Sequence, residues 1–383
     1  MDFALSAPHV EIRRTVRDFA EREILPVADE MERRAEFPTE IIRKAAALGL
    51  LGVPYPESIG GTGLDTLAYA ITVEELSRVS GSVGIIVSAH TSLGCAPVFM
   101  AGTPEQQERY LRPMASGAKL GAYGLTEAGA GSDSRGTRTR AHRDGDEWVL
   151  SGSKRFITNA GVAETYIVTA VTDRNTDSGK ISAFIVEAGT PGFSIGRMEE
   201  KMGLHASNTG ELLFDECRIP AGNLLGEEGD GDRLFLKTLD GGRIGIGAMA
   251  LGLAQAAYEA ASAYAKERQQ FGRPIGSFQG IAFKIADMAV QIDAARLMVY
   301  RAAWLKDSGQ PYSTEAAMAK LFASEVARQV TNDAVQVHGG YGYVTEYKVE
   351  RYLRDAKLTE IGEGTSEIQR MVIARNLLGV RAM

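Results

Sequence analysis

The sequence has few of the residues that form disulfide frameworks or hold metal ions. Its 383 residues include two cysteines, Cys95 and Cys217, which lie too far apart in sequence to form a Cys-x-x-Cys motif. The five histidines, His9, His90, His142, His205 and His338, show no spacing typical of metal ligands. We therefore expect neither a disulfide framework nor a metal site.

The sequence also lacks the usual marks of secreted, membrane-spanning and nucleic-acid-binding proteins. No apolar run reaches membrane-spanning length, and the start, MDFALSAPHVEIRR, has neither the basic residues nor the apolar block of a signal peptide. The net charge of -7 argues against a nucleic-acid surface, because phosphate binding needs a basic face. We expect a cytoplasmic protein with no stable membrane insertion and no nucleic-acid partner, in which local arginines bind any anionic ligand.

Two changes in hydrophobic periodicity divide the chain into three regions. Residues 1–120 contain long amphipathic helical segments, such as 10–36. Residues 121–226 contain short runs rich in Val, Ile, Thr and aromatics with no helical pattern between them, which favours a sandwich or barrel over a parallel doubly wound sheet. Residues 227–383 are again helical, with a bundle-type pattern in a helix that Ser277 is placed to cap. The prediction is an α+β protein of three domains with these boundaries.

Near the C-terminus, a glutamate stands between two glycines just before a helix. Gly362 and Gly364 let the backbone come close to whatever Glu363 faces, and Ser366 with Gln369 fits the spacing of a capping box. A carboxylate partly withdrawn from water has its pKa raised toward the range useful for a general base. Taken alone, however, a charged loop residue is more often a solvated surface group.

The middle region opens with a glycine-rich loop, YGLTEAGAGSDS, from Tyr123 to Ser134. The backbone donors around Gly129 and Gly131, with the hydroxyls of Ser132 and Thr126, could cradle a phosphate. From the pattern alone, a simple connecting turn is the commoner interpretation.

The segment SGSKRFITNAG, Ser151 to Gly161, places an aromatic residue close to a threonine. Phe156 could lay a flat face against a ring while Thr158 donates a hydrogen bond to it. A strand with one buried face is an equally good interpretation of the residues by themselves.

The segment GGRIGIGAMALG matches the dinucleotide-binding pattern G-x-G-x-x-A through Gly245, Gly247 and Ala250. No strand precedes it, so we interpret the small residues as allowing close helix packing.

Two further segments, ERQQFGRPIGSFQ and QVHGGYG, hold candidate ligand-binding residues. Arg268 could clamp a diphosphate with its planar guanidinium, and Phe271 could stack on a heterocycle. As single residues, a surface charge and a core aromatic are the commoner interpretations.

Taken together, these segments resemble the acyl-CoA dehydrogenases. RDAK, EGTSEIQR and ARNLLG resemble the family's C-terminal signature, and YGLTEAGAGSDS resembles its flavin-binding signature, with Ala128 where proline is usual. Phe156 stands where most relatives have tryptophan, which keeps the stacking face but loses the indole donor. The matches cover nearly the whole chain, in order.

The resemblance implies a fold, an assembly and a reaction. The fold would be an N-terminal helical domain, a middle β-barrel and a C-terminal four-helix bundle, in a homotetramer with one FAD per subunit. The reaction would convert an acyl-CoA to a trans-2-enoyl-CoA and pass electrons to an electron-transfer flavoprotein. An acyl-CoA oxidase and a branched short-chain acyl-CoA dehydrogenase are alternatives, whereas a non-catalytic acyl-CoA-binding protein is disfavoured by the retention of Glu363 and Arg243.

The resemblance also implies roles for individual residues. Glu363 would be the catalytic base, and acyl-CoA would bind at Ser132, Asp240, Arg243 and Gly364. FAD would bind at Tyr123, Leu125, Thr126, Gly131, Ser132, Phe156, Ile157, Thr158, Arg268, Phe271, Gln279, Gln336, Gly339, Gly340, Thr365 and Glu367, with the segments around Arg268 and Gln336 reaching the FAD of a neighbouring subunit.

One departure bears on the base and two bear on the substrate. Gly242 occupies the position where some members carry the base, which leaves Glu363 as the sole candidate. Gly362 stands where a bulky residue, often tyrosine, commonly precedes the base. The absence of Lys and Arg between Arg78 and Arg109 removes the cation that glutaryl-type relatives use. These features, with the likeness of LDGGRIGIGAMALGLAQ to the short-chain group, favour a neutral short or medium straight acyl chain.

Overall fold

The computed structural model describes residues 4–173 and 180–379. The first region is helical, as predicted. Its helices are α1 (Ala7–Phe19), α2 (Ala28–Arg34), α3 (Thr39–Ala47), α4 (Thr66–Val79), α5 (Gly81–Ala89), α6 (Ala96–Ala101), α7 (Pro104–Gln106) and α8 (Arg112–Ala115), with π-helical turns at Ala20–Ile24, His90–Cys95 and Gln107–Leu111. The single helix expected over residues 10–36 is wrong: it is broken between α1 and α2, where Pro26 has no N–H to continue the helical hydrogen bonds.

Two helical stretches are long and apolar enough to span a membrane by length and composition, contrary to the expectation from the sequence. They are Gly81–Ala101, with mean hydropathy 1.6, and Gly231–Glu267, with mean hydropathy 1.2. In each, 78% of the most apolar segment is buried inside the protein. Their apolar surface is therefore covered by the chain's own core.

The middle region is one eight-stranded sheet, which confirms the predicted β domain. Its strands are β1 (Gly121–Gly124), β2 (Arg140–Asp144), β3 (Glu147–Thr158), β4 (Thr165–Asp173), β5 (Lys180–Glu187), β6 (Phe193–Met198), β7 (Thr209–Pro220) and β8 (Leu224–Leu225). The hydrogen-bonded order is β6-β7-β3-β2-β4-β5-β8, with β1 pairing in parallel with β4. Trp148, Tyr166, Phe184 and Phe214 lie in the core of this region.

Up to residue 379, the last region contains five α-helices and a short hairpin. After α9 (Gly231–Glu267) come β9 (Gln269–Gln270), β10 (Arg273–Pro274), α10 (Gln279–Asp307), α11 (Ser313–His338), α12 (Val349–Thr359) and α13 (Ser366–Leu378). Helices α9 to α12 pack on one another as a four-helix bundle, and α13 packs on α11. The hairpin was not foreseen, and the cap expected at Ser277 is wrong: Ser277 donates to the carbonyl of Pro274, and α10 begins after Phe278 without a side-chain cap.

The G-x-G-x-x-A segment lies inside α9, as the interpretation of close helix packing required. A Cβ at Gly245 would overlap the hydroxyl groups of Tyr69 and Ser88, and one at Gly252 would lie 2.9 Å from the backbone nitrogen of Arg78. The small residues therefore let α4 and α5 approach α9 closely.

Two buried carboxylates join the three regions at one loop. Asp355 on α12 accepts a hydrogen bond from the backbone nitrogen of Leu204 at 2.7 Å. Glu32 on α2 accepts one from the backbone nitrogen of His205, also at 2.7 Å. Burial and the neighbouring Glu32 raise the pKa of Asp355. The loop before β7, which borders the cavity described below, is thus held by both helical regions.

Candidate functional site

A cavity of about 1160 Å³ opens where the three regions meet. It is bordered by α5, the loop after β1, the end of β3, the loop before β7, α9 and the turn between α12 and α13. Thirteen of the residues singled out in the sequence line it: Tyr123, Leu125, Thr126, Gly131, Ser132, Phe156, Ile157, Thr158, Asp240, Arg243, Glu363, Gly364 and Thr365.

The turn that carries Glu363 is held in an uncommon backbone conformation. Glu363 has φ +54° and Gly364 has φ +94°, so a non-glycine residue adopts the left-handed region at the cavity wall. Thr365, not Ser366, caps α13, because its side chain accepts a hydrogen bond from the backbone nitrogen of Ile368 at 3.3 Å. The capping box expected at Ser366 is therefore wrong.

Gln369 is fully buried, and its side chain hydrogen-bonds to the turn instead of forming a capping box. Its Nε2 donates to the carbonyl oxygen of Gly364 at 2.8 Å and, more weakly, to that of Glu363 at 3.4 Å. The side chain thus fixes the orientation of two consecutive peptide groups at the turn.

The carboxylate of Glu363 lies against α9 at Gly242. A Cβ at Gly242 would be 2.8 Å from the carboxyl carbon of Glu363 and would overlap its Oε2. That Oε2 atom is buried without a hydrogen-bond partner among the described residues. Burial raises the pKa of Glu363 to about 7, although Lys320 and Arg243 act in the opposite direction. A carboxyl group poised near neutrality is suited to accept a proton.

Sequence reasoning missed Lys320, the cation under this turn. Lys320 on α11 is fully buried, and its Nζ donates to the carbonyl oxygen of Gly364 at 2.7 Å. Burial lowers its pKa to about 8. The only signal in the sequence is a lysine within the small-residue face of α11 that includes Ala316 and Ala323.

Arg243 is buried beside Glu363. Its guanidinium donates to Asp240, which also accepts from the hydroxyl of Ser313 at 2.9 Å. Arg243 directly follows Gly242 on α9, and Glu363 is among the charges that act on it. The structure therefore places Arg243 close to Glu363.

A buried ion pair that was not predicted from the sequence anchors the glycine-rich loop to the sheet. Glu127 accepts from Lys154 at 2.7 Å and from the backbone nitrogen of Thr139 at 3.0 Å. Lys154 is fully buried and also donates to the carbonyl of Leu125 at 3.2 Å. These partners hold the pKa of Glu127 at about 2 despite its burial.

The loop above this ion pair is open to a ligand. A Cβ added at Gly129 or Gly131 would meet no atom within 4 Å. The backbone there is accessible, as binding a phosphate through N–H groups requires.

Phe156 is presented to the cavity by an irregularity in β3. The register between β3 and β7 shifts between Lys154 and Ile157, and Phe156 has φ +59°. A β-bulge of this kind redirects a side chain, and Phe156 is 59% exposed. Phe156 therefore lies on a strand and is exposed at the cavity, and its stacking on a ring stays a prediction.

Seven singled-out residues lie away from the lining of this cavity. They are Arg268, Phe271, Gln279, Gln336, Gly339, Gly340 and Glu367. Arg268 lies over the ring of Tyr341 at 5.3 Å, so the end of α9 meets the turn that follows α11. Phe271 is 92% exposed. Their role toward the FAD of another subunit stays a prediction.

The sequence matches three family models, which follow one another along the chain. They are described as acyl-CoA dehydrogenase N-terminal domain for residues 6–118, middle domain for residues 122–217 and C-terminal domain for residues 229–378.

Two relatives align over almost the full length of both chains. A probable acyl-CoA dehydrogenase of Bacillus subtilis is 55% identical over 99% of this chain and 100% of its own. A short-chain-specific acyl-CoA dehydrogenase of Clostridium acetobutylicum is 52% identical over 98% of this chain and 99% of its own.

Solved structures show the same likeness. Butyryl-CoA dehydrogenase of Megasphaera elsdenii superposes with a TM-score of 0.97 at 47% identity, over 99% of this chain and 100% of that one. A chain from a study of the electron transferring flavoprotein of Acidaminococcus fermentans gives 0.97 at 50% identity, with the same coverage. An acyl-CoA dehydrogenase of Bacillus anthracis complexed with FAD gives 0.92 at 37% identity, over 98% of this chain and 67% of that one.

Proposed function

Because this chain belongs to the acyl-CoA dehydrogenase family, an FAD-dependent family of oxidoreductases, we propose that Glu363 is the base that removes the α-proton of a short or medium straight-chain acyl-CoA. The observation that carries this proposal is the buried environment of the Glu363 carboxylate. Glu363 lines the cavity, its Oε2 is buried without a partner among the described residues, and its pKa is raised to about 7.

The residues around the cavity fit FAD. The open backbone at Gly129 and Gly131 suits a diphosphate, and Phe156, re-aimed by the bulge, offers an aromatic face. Tyr123, Thr126 and Thr158 line the same cavity and would hold the flavin with them. When bound, FAD supplies the acceptor for the hydride that leaves Cβ.

Proton removal requires more than a base, since an α-proton is far less acidic than a carboxylic acid. The negative charge that develops on the thioester oxygen must be stabilised by fixed donors. Within the described residues, the backbone N–H of Glu363 makes no hydrogen bond, so it is free to donate to that oxygen. The turn thus brings the base and a donor together on a single residue, and Ser132, Asp240, Arg243 and Gly364 would complete the acyl-CoA site.

A Glu363→Gln variant tests the proposal directly. It keeps the shape of the side chain and removes its basicity, so FAD content and acyl-CoA binding should be retained. Bleaching of the flavin by butyryl-CoA under anaerobic conditions should slow at least ~10²-fold, the lower end of what positioned proton transfer contributes. Glu325→Gln, which alters a surface ion pair with Arg370 on the outside of α11, is the control. Bleaching at the wild-type rate in Glu363→Gln would remove Glu363 as the base.

We further propose that an electron-transfer flavoprotein accepts the electrons. The support is the family membership and the 50% identity to a chain studied with such a flavoprotein. Rapid stoichiometric peroxide formation with butyryl-CoA in air would favour the oxidase instead. Titration with acyl-CoAs of increasing length, followed by the flavin spectrum, would define the chain-length preference.

A homotetramer is supported by an exposed apolar stripe on α10. Phe283, Val290, Leu297 and Trp304 recur every seven residues and are all exposed, whereas Met288 and Ile292 on another face are buried in the bundle. A seven-residue apolar repeat runs along one side of a helix, and contiguous exposed apolar surface marks an interaction site. We propose that further copies of this chain cover it, in an assembly of domains 1–120, 121–226 and 227–383.

A further inference from the structure

Lys320 reaches the catalytic turn from the interior of the bundle. Its side chain is fully buried, and the one hydrogen bond of its Nζ within residues 4–173 and 180–379 goes to the carbonyl oxygen of Gly364 at 2.7 Å. The buried amide of Gln369 donates to the same oxygen at 2.8 Å. Two donors from different helices, α11 and α13, therefore hold a single carbonyl group next to Glu363.

A lysine in this position is costly, because burial disfavours a charged ammonium group. The lowered pKa of Lys320, about 8, reflects that cost. Its buried neighbours on α11, Ala316, Ala319 and Ala323, are small and apolar and offer the ammonium group no hydrogen bond. A carbonyl acceptor alone does not require a cation, since the neutral amide of Gln369 already donates to it.

The charges around Lys320 and Glu363 come from every element packed on the turn. Arg243 lies on α9, Glu360 at the end of α12 and Glu367 at the start of α13, and each of them acts on Lys320 together with Glu363. Glu363 is in turn influenced by Lys320 and Arg243 and faces Tyr69 of α4. Of the two cations, Arg243 is paired with Asp240, whereas Lys320 has no salt-bridge partner within 4.0 Å in the described part of the chain.

We propose that Lys320 is a positioning residue for proton abstraction: it fixes the carbonyl of Gly364, so that the left-handed turn holds the Glu363 carboxylate in the space left by Gly242, and its ammonium group brings positive charge to this buried turn. The proposal rests on Glu363 being the base. It differs from a purely structural role because it predicts how the reaction responds to pH.

The decisive variants are Lys320→Met, which removes both the donor and the charge, and Lys320→Gln, which keeps a donor. In both, the acidic limb of the pH profile for anaerobic flavin bleaching should move upward by about one pH unit, because removing a nearby cation raises the pKa of the carboxyl. Lys320→Met should also lower the plateau rate about tenfold with little change in KM, since the turn is released. Lys284→Met, which removes a cation from the α10–α11 surface where it pairs with Asp333 at 2.8 Å, should leave the profile unchanged.

A readout independent of turnover is amide hydrogen exchange of the peptide covering residues 360–366. Exchange should be faster in Lys320→Met than in Lys320→Gln and the wild type. A pH profile unchanged in both variants, or loss of folding in both, would overturn the proposal in favour of a structural lysine. If Glu363→Gln instead bleaches normally, the base assignment fails, which is a different result from failure at Lys320.

Discussion

The carboxylate of Glu363 lies in a space that exists only because residue 242 is a glycine. Any Cβ on Gly242 would overlap Oε2 and would come within 2.8 Å of the carboxyl carbon. The resemblance to known dehydrogenases had indicated that Gly242 cannot be the base. The structure adds that the absence of a Cβ at Gly242 is also required for the proposed role of Glu363 as the base.

Gly242→Ala should therefore displace the carboxylate and slow flavin bleaching by ~10²-fold, approaching the loss in the variant without a base. The matched control is Gly241→Ala on the same helix, where a Cβ would meet only the flexible end of Lys306 at 3.3 Å. Both changes gain helix propensity of about 0.5–1 kcal/mol, so a difference between them reports on the site. Equal activity of the two variants would contradict the geometry.

The pH dependence of the reductive half-reaction should follow Glu363. Because its pKa is about 7 and the carboxylate is the reactive form, the bleaching rate should rise with pH to a plateau, with its midpoint near 7. Stopped-flow measurements between pH 5.5 and 8.5 would show this, and a rate independent of pH over that range would argue against a base with this pKa.

The raised pKa of Glu363 should also make the stability of the folded protein fall as the pH rises, whereas the bleaching rate rises with pH. A carboxyl whose pKa is higher in the folded protein than in the unfolded chain contributes stability at low pH, and this contribution is lost as pH rises through the folded value. The melting temperature of Glu363→Gln should therefore exceed that of the wild type above pH 7 and converge with it near pH 5. Thermal unfolding of both holoenzymes at the two pH values tests this, and a constant difference would count against it.

The ion pair of Lys154 and Glu127 should be essential to the cofactor loop. Lys154→Met leaves Glu127 buried without its cation, which typically costs about 3–5 kcal/mol, so the melting temperature should fall by roughly 5–10 °C and FAD should dissociate faster. Arg218→Met removes an exposed pair with Asp144 in the same sheet and should change stability by less than about 1 kcal/mol. Similar losses in both variants would mean that the buried pair does not anchor the loop.

The α10 stripe can be tested by placing a charge in it. Leu297→Glu should convert the proposed tetramer to smaller species and reduce FAD retention, because charge is costly in an apolar contact between copies. Leu48→Glu is the matched control, since Leu297 is 47% exposed and Leu48 is 46% exposed, but Leu48 lies at the end of α3. Light scattering after size exclusion would measure the mass, and an unchanged mass for Leu297→Glu would exclude the stripe as the interface.

The sequence by itself determined the order of helices, strands and helices, and it identified several of the stretches that line the cavity. These features depend on local periodicity and on short motifs, which can be recognised within a few consecutive residues. The same locality explains the errors. Thr365 and Ser366 both satisfy a capping pattern, and only the path of the turn decided between them.

Only the tertiary structure decided how Glu363 is held. Whether a lysine is solvated or buried depends on which distant segment packs over it, so Lys320 and Lys154 look like ordinary surface residues in the sequence. The contacts of Lys320 with Gly364 and of Gly242 with Glu363 each join segments far apart in the chain. Burial and the partner of a polar group are properties of that packing, and they set the pKa of Glu363 and thus the chemistry proposed for it.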